Sequence, residues 1–128
     1  MPIINHNPRT LFPQYRNYSH AVEVESGTRL LFISGLNGYE PDGDAMPETF
    51  EAQCEIIWGY IGEILQSANM HYEHIILLRT FLARPEYDEA CSRVKARYLG
   101  DHRPASTTLC CQLLESRWKL EIEAIAAK

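Results

Sequence analysis

The stretch HIILLRTFLA, residues 74 to 83, restricts the fold more than any other part of the chain. Ile75, Ile76, Leu77, Leu78, Phe81 and Leu82 place apolar side chains at both parities, so a strand made from it has no face suited to water. Pro85 stops the run. A sheet built around this strand must be covered on both sides.

Helices are available for one side. Phe50, Cys54, Ile57, Ile61, Ile64 or Leu65, and Ala68 recur at steps of three and four, while Glu48, Glu51, Glu55 and Glu63 fall on other faces, which predicts a long amphipathic helix. Asp44 is placed to cap it, Pro47 suits its first turn, and Asn69 can take the left-handed turn that ends it. Tyr87, Cys91, Val94 and Tyr98 mark a second helix closed by Gly100, with Arg93, Lys95 and Arg97 in the half where the macrodipole favours positive charge.

The remaining segments read as strands. SHAVEV after Tyr18, and RLLFIS after Ser26 and Gly27, predict a β-hairpin. STTLCCQLL and WKLEIEAIA predict two more strands after Pro104. Residues 1–15, with Pro2, Pro8 and Pro13, read as an irregular arm. The order is ββαβαββ over a single domain, 1–128: an α+β fold with two helices on one face of a mostly antiparallel sheet. The other face then calls for a second copy of the chain, so a homo-oligomer is expected.

Charge and cysteine usage narrow the function. Acidic side chains outnumber basic ones 17 to 12, a net charge of -5, so no phosphate-neutralising surface is evident and no nucleic-acid partner is expected. RNA cleavage is disfavoured on the same ground. No apolar run approaches the ~20 residues of a membrane span, and the start MPIINHNPRT lacks the basic-then-apolar pattern of a secretory leader, so the expectation is a cytoplasmic protein without a membrane partner. Cys54, Cys91, Cys110 and Cys111 form no C-x-x-C pair and show no zinc spacing, and read as small buried hydrophobes rather than metal ligands. His71 and His74 have a spacing seen in metal sites but lack an evident third ligand, and read as loop histidines.

Five features in order carry a resemblance: Tyr18 entering the first strand, FISG at Phe32 to Gly35, Ala52-Gln53 early in the long helix, Pro104-Ala105, and KLEIEAIA from Lys119 to Ala126. Together they resemble the reactive intermediate deaminases, the Rid or YjgF-like family. The resemblance implies a chorismate-mutase-like fold, a homotrimer with small-molecule clefts between subunits, and hydrolysis of enamine and imine acids to keto acids and ammonia without metal or organic cofactor. It also implies site residues: Tyr18, Ser34 and Gly35 at the cleft, and Glu121 as the catalytic carboxylate that orients or activates water.

One position departs from the pattern. The arginine that grips the substrate carboxylate in this family falls on Ser106, which offers one hydrogen bond instead of a charged fork. Arg79 and Arg103 are the two weighed substitutes. By strand parity Ser106, Thr108 and Cys110 share a face, so a ligand is expected to touch these three and Glu121 of one chain, with Tyr18 near the rim. Weak or no hydrolysis of 2-iminopropionate is expected, raised by Ser106→Arg if the remaining cleft is intact. The alternative is a non-catalytic trimer that binds a metabolite or another protein.

Overall fold

The computed structural model describes residues 3–14 and 18–128. Six strands and two helices follow in the order β1 (Ile3–His6), β2 (Ala21–Val24), β3 (Leu30–Leu36), α1 (Phe50–Ser67), β4 (Ile75–Leu82), α2 (Asp88–Leu99), β5 (Ala105–Cys110) and β6 (Leu120–Ala127). The strands form a four-stranded sheet of order β3-β6-β4-β5 and a two-stranded sheet of β1 and β2. Among the described strands, β4 and β5 pair in parallel and the other pairs are antiparallel. The α+β class with both helices on one face of a mixed sheet is as the sequence predicts.

Two local expectations are corrected. The segments flanking Ser26 and Gly27 do not pair as a hairpin: β2 pairs with β1, from Ile3 opposite Val24 to His6 opposite Ala21, and β3 pairs with β6. The N-terminal arm therefore contributes a strand. Its Ile3 and Ile4 give a β-branched start that the prolines at positions 2, 8 and 13 leave intact. The cap of α1 is Thr49, whose Oγ1 accepts from the Ala52 amide at 3.2 Å, rather than Asp44. Asn69 has φ 58° and Gly100 φ 57°, the left-handed ends expected of the two helices.

The core lies between the helices and one sheet face. Cys54, Ile57, Trp58, Ile61 and Leu65 of α1 are buried against Ile33, Leu78, Leu120, Ile122, Ala124 and Ala126. Trp58 stacks on Tyr98 and Phe50 on Tyr87, which ties α1 to α2 and to the turn before it. Across the outer side of the helix pair Arg93 meets Glu51 at 3.1 Å and Arg97 meets Glu55 at 3.0 Å. These cations serve the neighbouring helix, each pair worth ~0.2–1 kcal/mol at such exposure.

The opposite face follows parity. Phe32, Leu77, Phe81, Leu109 and Ile125 fall there with Arg79, Glu121 and Glu123, and Phe32 is 69% exposed. Contiguous exposed apolar surface of this kind marks a face suited to interaction.

His74 precedes β4, buried, and its Nδ1 accepts from the His71 amide at 2.8 Å. Burial holds its pKa below the usual value of 6.5. The folded state therefore binds fewer protons than the unfolded chain below about pH 6.5, and stability falls with acidification through that region. The thermal midpoint should drop between pH 7.5 and 5.5 more steeply in the native chain than in His74→Gln, whose amide oxygen can still accept from His71.

Candidate functional site

The residues singled out in the sequence fall into two groups on different faces of the sheet. Leu78, Thr80 and Leu82 of β4 pair with Ser106, Thr108 and Cys110 of β5, and the first three are buried on the helix side. Glu121 of β6 pairs with Phe81, which pairs with Leu109. One chain thus does not bring Glu121 to Ser106, Thr108 and Cys110, although each strand's parity is as expected. The cause is arithmetic: an odd offset between the β5 and β6 registers on β4 reverses the face.

The first group lies between β5 and α2. Tyr18, Asp88, Cys91, Ser92, Lys95, Ser106, Thr107 and Thr108 line a cavity of about 320 Å³. Tyr18 is fixed there by its neighbour Ser19, whose amide donates to the Pro104 carbonyl at 2.9 Å and which bridges to Ala105 beside the edge strand. The Ser19 hydroxyl donates to the Arg103 carbonyl. Cys110 is exposed at the end of β5, outside this lining and unlike the buried thiol expected. Cys54 and Cys91 fit that expectation.

Neither weighed arginine accompanies Ser106. Arg79 is on the other face, 3.5 Å from Glu123, and Arg103 donates to the Gly100 carbonyl at 2.7 Å. The cation beside Ser106 is Lys95 of α2, 9% exposed, whose Nζ donates to the Ser106 Oγ at 3.0 Å. A signal was available. Lys95 lies four residues after Cys91 and seven after Asp88, on the stripe that faces the sheet rather than on the solvated helix surface.

The second group gathers at a β-bulge. Ile33 pairs with Ala124 but Leu36 with Ile122, so β3 carries one extra residue around Ser34 and Gly35. A Cβ at Gly35 would lie 2.2 Å from the Glu121 Oε2 and 2.9 Å from its Cδ. Glycine leaves room for the carboxylate to lie across the bulge. Asn37 holds it there, its Nδ2 donating to the Glu121 Oε1 and to the Leu120 carbonyl, both at 3.3 Å. Asn37 escaped the sequence reading because an asparagine at the start of a Gly-rich loop reads as turn chemistry.

Gly35→Ala should therefore displace the Glu121 carboxylate while leaving the fold intact, because the obstructed atoms end a flexible side chain. A reaction that depends on that carboxylate should slow on the order of 10²-fold, measured as turnover beside an unchanged thermal midpoint.

A family model described as Endoribonuclease L-PSP matches residues 11–128, and the chain belongs to this family of Rid, YjgF-like proteins. The 2-iminobutanoate/2-iminopropanoate deaminase of Capra hircus is 30% identical over 112 residues, 87% of this chain and 80% of that protein. A RutC family protein of Aquifex aeolicus is 29% identical over 113 residues, 87% and 88% of the two chains. Among solved structures, the Rid family protein YyfB of Yersinia pestis, of unknown function, superposes with a TM-score of 0.89 at 29% identity, covering 100% of both chains. Among the described residues no helix is long and apolar enough to cross a membrane.

Proposed function

We propose that this protein hydrolyses a small imine or enamine to a carbonyl compound and ammonia, at a cleft completed between copies of the chain. The observation that carries the reading is Glu121, its carboxylate laid across Gly35 and oriented by Asn37. Such a group can take a proton from water as the water oxygen bonds to the carbon of a protonated imine, hand it to the nitrogen of the resulting carbinolamine, then take the hydroxyl proton as the carbon–nitrogen bond breaks and pass it to the departing ammonia, leaving the carbonyl product and ammonium. The imine carbon is already electrophilic, so positioning supplies most of what the reaction needs.

Two half-sites in one chain support the assembly. The sheet order β3-β6-β4-β5 puts the Gly35–Glu121 group toward one edge and the Ser106 cavity at the other. The Glu121 and Ser106 strands are two spacings apart, roughly 10 Å, and use opposite faces. A ring of copies joined head to tail sets one edge against the next, and covers the exposed Phe32 face as well. A homotrimer is the smallest closed ring that head-to-tail interfaces allow.

Ser106 with Lys95 offers a point charge where a guanidinium fork would offer two parallel bonds, so turnover of 2-iminopropionate should be lower than in a family member with the arginine. Ser106→Arg is not expected to help, contrary to the sequence reading: a guanidinium there would crowd the Lys95 ammonium now 3.0 Å from the Ser106 hydroxyl. The endoribonuclease label of the family is not carried over, given the net charge of -5.

The test is ammonia release from imines generated in situ from a panel of amino acids, with the mass in solution measured alongside. Acceleration over buffer by a three-copy species supports the reading. Binding of small metabolites without acceleration of any imine would leave the non-catalytic trimer, and a stable monomer would remove the shared cleft.

A further inference from the structure

We propose that Cys91 and Cys54 form a redox pair: Cys91, at the cavity between β5 and α2, is oxidised by a small hydroperoxide, and Cys54, behind it in the core, closes the disulfide. The proposal stands apart from the hydrolase reading, which uses neither thiol.

The register of the two helices brings the thiols together. Phe50 stacks on Tyr87 with ring centroids 4.6 Å apart, and Cys54 and Cys91 each follow four residues later, about one helical turn along α1 and α2. Trp58 and Tyr98 stack further on, so the helices stay side by side past the level of the cysteines. Both cysteines belong to the buried core, and the Cys54 thiol donates to the Cys91 sulfur. Neighbouring sulfurs on facing helices are the arrangement a disulfide requires.

Access separates their roles. Cys54 is 0% exposed, whereas Cys91, 5% exposed, lines the cavity of about 320 Å³ together with Tyr18, Ser92 and Ser106. A molecule the size of hydrogen peroxide fits that space and meets Cys91 first. Acidity favours the same residue. The hydrogen bond from Cys54 holds the Cys91 thiol below its usual pKa, with the Lys95 ammonium acting in the same direction and burial and Asp88 opposing it. That hydrogen bond, and burial, push the Cys54 thiol up. The thiolate is the nucleophile, so Cys91 attacks and Cys54 resolves.

The chemistry closes in two steps. Cys91 gives up its proton and its sulfur bonds to one peroxide oxygen as the oxygen–oxygen bond breaks; the other oxygen leaves with that proton as water or an alcohol, and Cys91 becomes a sulfenic acid. The Cys54 sulfur then displaces the hydroxyl from the Cys91 sulfur, and the hydroxyl leaves as water with the Cys54 proton. Two electrons pass from the thiols to the hydroperoxide. A small dithiol returns them by exchange.

The test uses the folded full chain carrying Cys110→Ser and Cys111→Ser, which leaves Cys54 and Cys91 as its two thiols. Peptide mapping after hydrogen peroxide should find Cys54 joined to Cys91 within one chain, with the loss of two hydrogens, and dithiothreitol should restore both thiols. Adding Cys54→Ser, whose hydroxyl can still donate to Cys91, should stop the reaction at a sulfenic acid that dimedone labels. Adding Cys91→Ser should leave Cys54 at least tenfold slower to oxidise. Should either serine variant fail to fold, dimedone added with the peroxide to the parent, which keeps both core thiols, should label Cys91 and not Cys54. Absence of the Cys54–Cys91 linkage, or oxidation of Cys54 as fast as Cys91, overturns the proposal.

Discussion

Glu121→Gln should lower imine hydrolysis by roughly 10²–10⁴-fold, the span general acid–base groups contribute, with no loss of folded protein. The glutamine carbonyl can keep the 3.3 Å bond that Asn37 Nδ2 makes to Oε1, and its amide fits the space above Gly35 that Oε2 now fills. Geometry is kept and basicity is removed. The measurement is initial-rate ammonia release with the thermal midpoint as control. A variant as fast as the native chain would mean that Glu121 is a structural strand carboxylate and that the water is activated elsewhere.

The largest stability effect should come from Gln53→Ala. Gln53 is 1% exposed, and its Nε2 donates to the carbonyls of Pro47 at 2.9 Å and Arg117 at 3.1 Å, while its Oε1 accepts from the Lys119 amide at 3.0 Å. One amide thus joins the approach to α1 to the segment entering β6. Truncation leaves three backbone groups without this partner, at about 1–3 kcal/mol for each that water cannot reach. We expect a loss of about 3 kcal/mol, or roughly 10 °C in midpoint for a chain of this size. Gly38 adds to the strictness of the site, since a Cβ there would sit 2.7 Å from the Gln53 Cα. A midpoint change below about 2 °C would show that solvent readily replaces the side chain.

Glu121 and Gln53 also mark what the sequence could and could not reveal. Period and punctuation located α1, α2, β4, β5 and β6, because burial on one face leaves a trace every two or every three to four residues. Pairing partners left no such trace. The two segments around Ser26 and Gly27 carry a good hairpin signal, yet each finds a better partner elsewhere, β1 in one case and β6 in the other. The same limit governed the site. Parity along β5 correctly grouped Ser106 with Thr108, but the offset between β5 and β6 across β4 is a property of the sheet. Lys95 was overlooked for a related reason: one of three basic residues in a helix ending in Arg97 reads as dipole compensation until the helix has a neighbour. Arg93 and Arg97 in fact reach across to Glu51 and Glu55, and only Lys95 turns inward.

The placement of the half-sites on opposite faces, toward opposite edges of one sheet, has a genetic consequence. If each cleft takes Glu121 from one copy and the Ser106 wall from the next, a lesion in either half is recessive to a lesion in the other. Two inactive proteins, Glu121→Gln and a variant crippled at the β5 wall, should recover activity when unfolded and refolded together, because some clefts then receive both intact halves. For random assembly in equal amounts that share is roughly a quarter of all clefts in a closed ring. Complementation between two dead alleles would then reflect the strand order β3-β6-β4-β5 at the level of the cell.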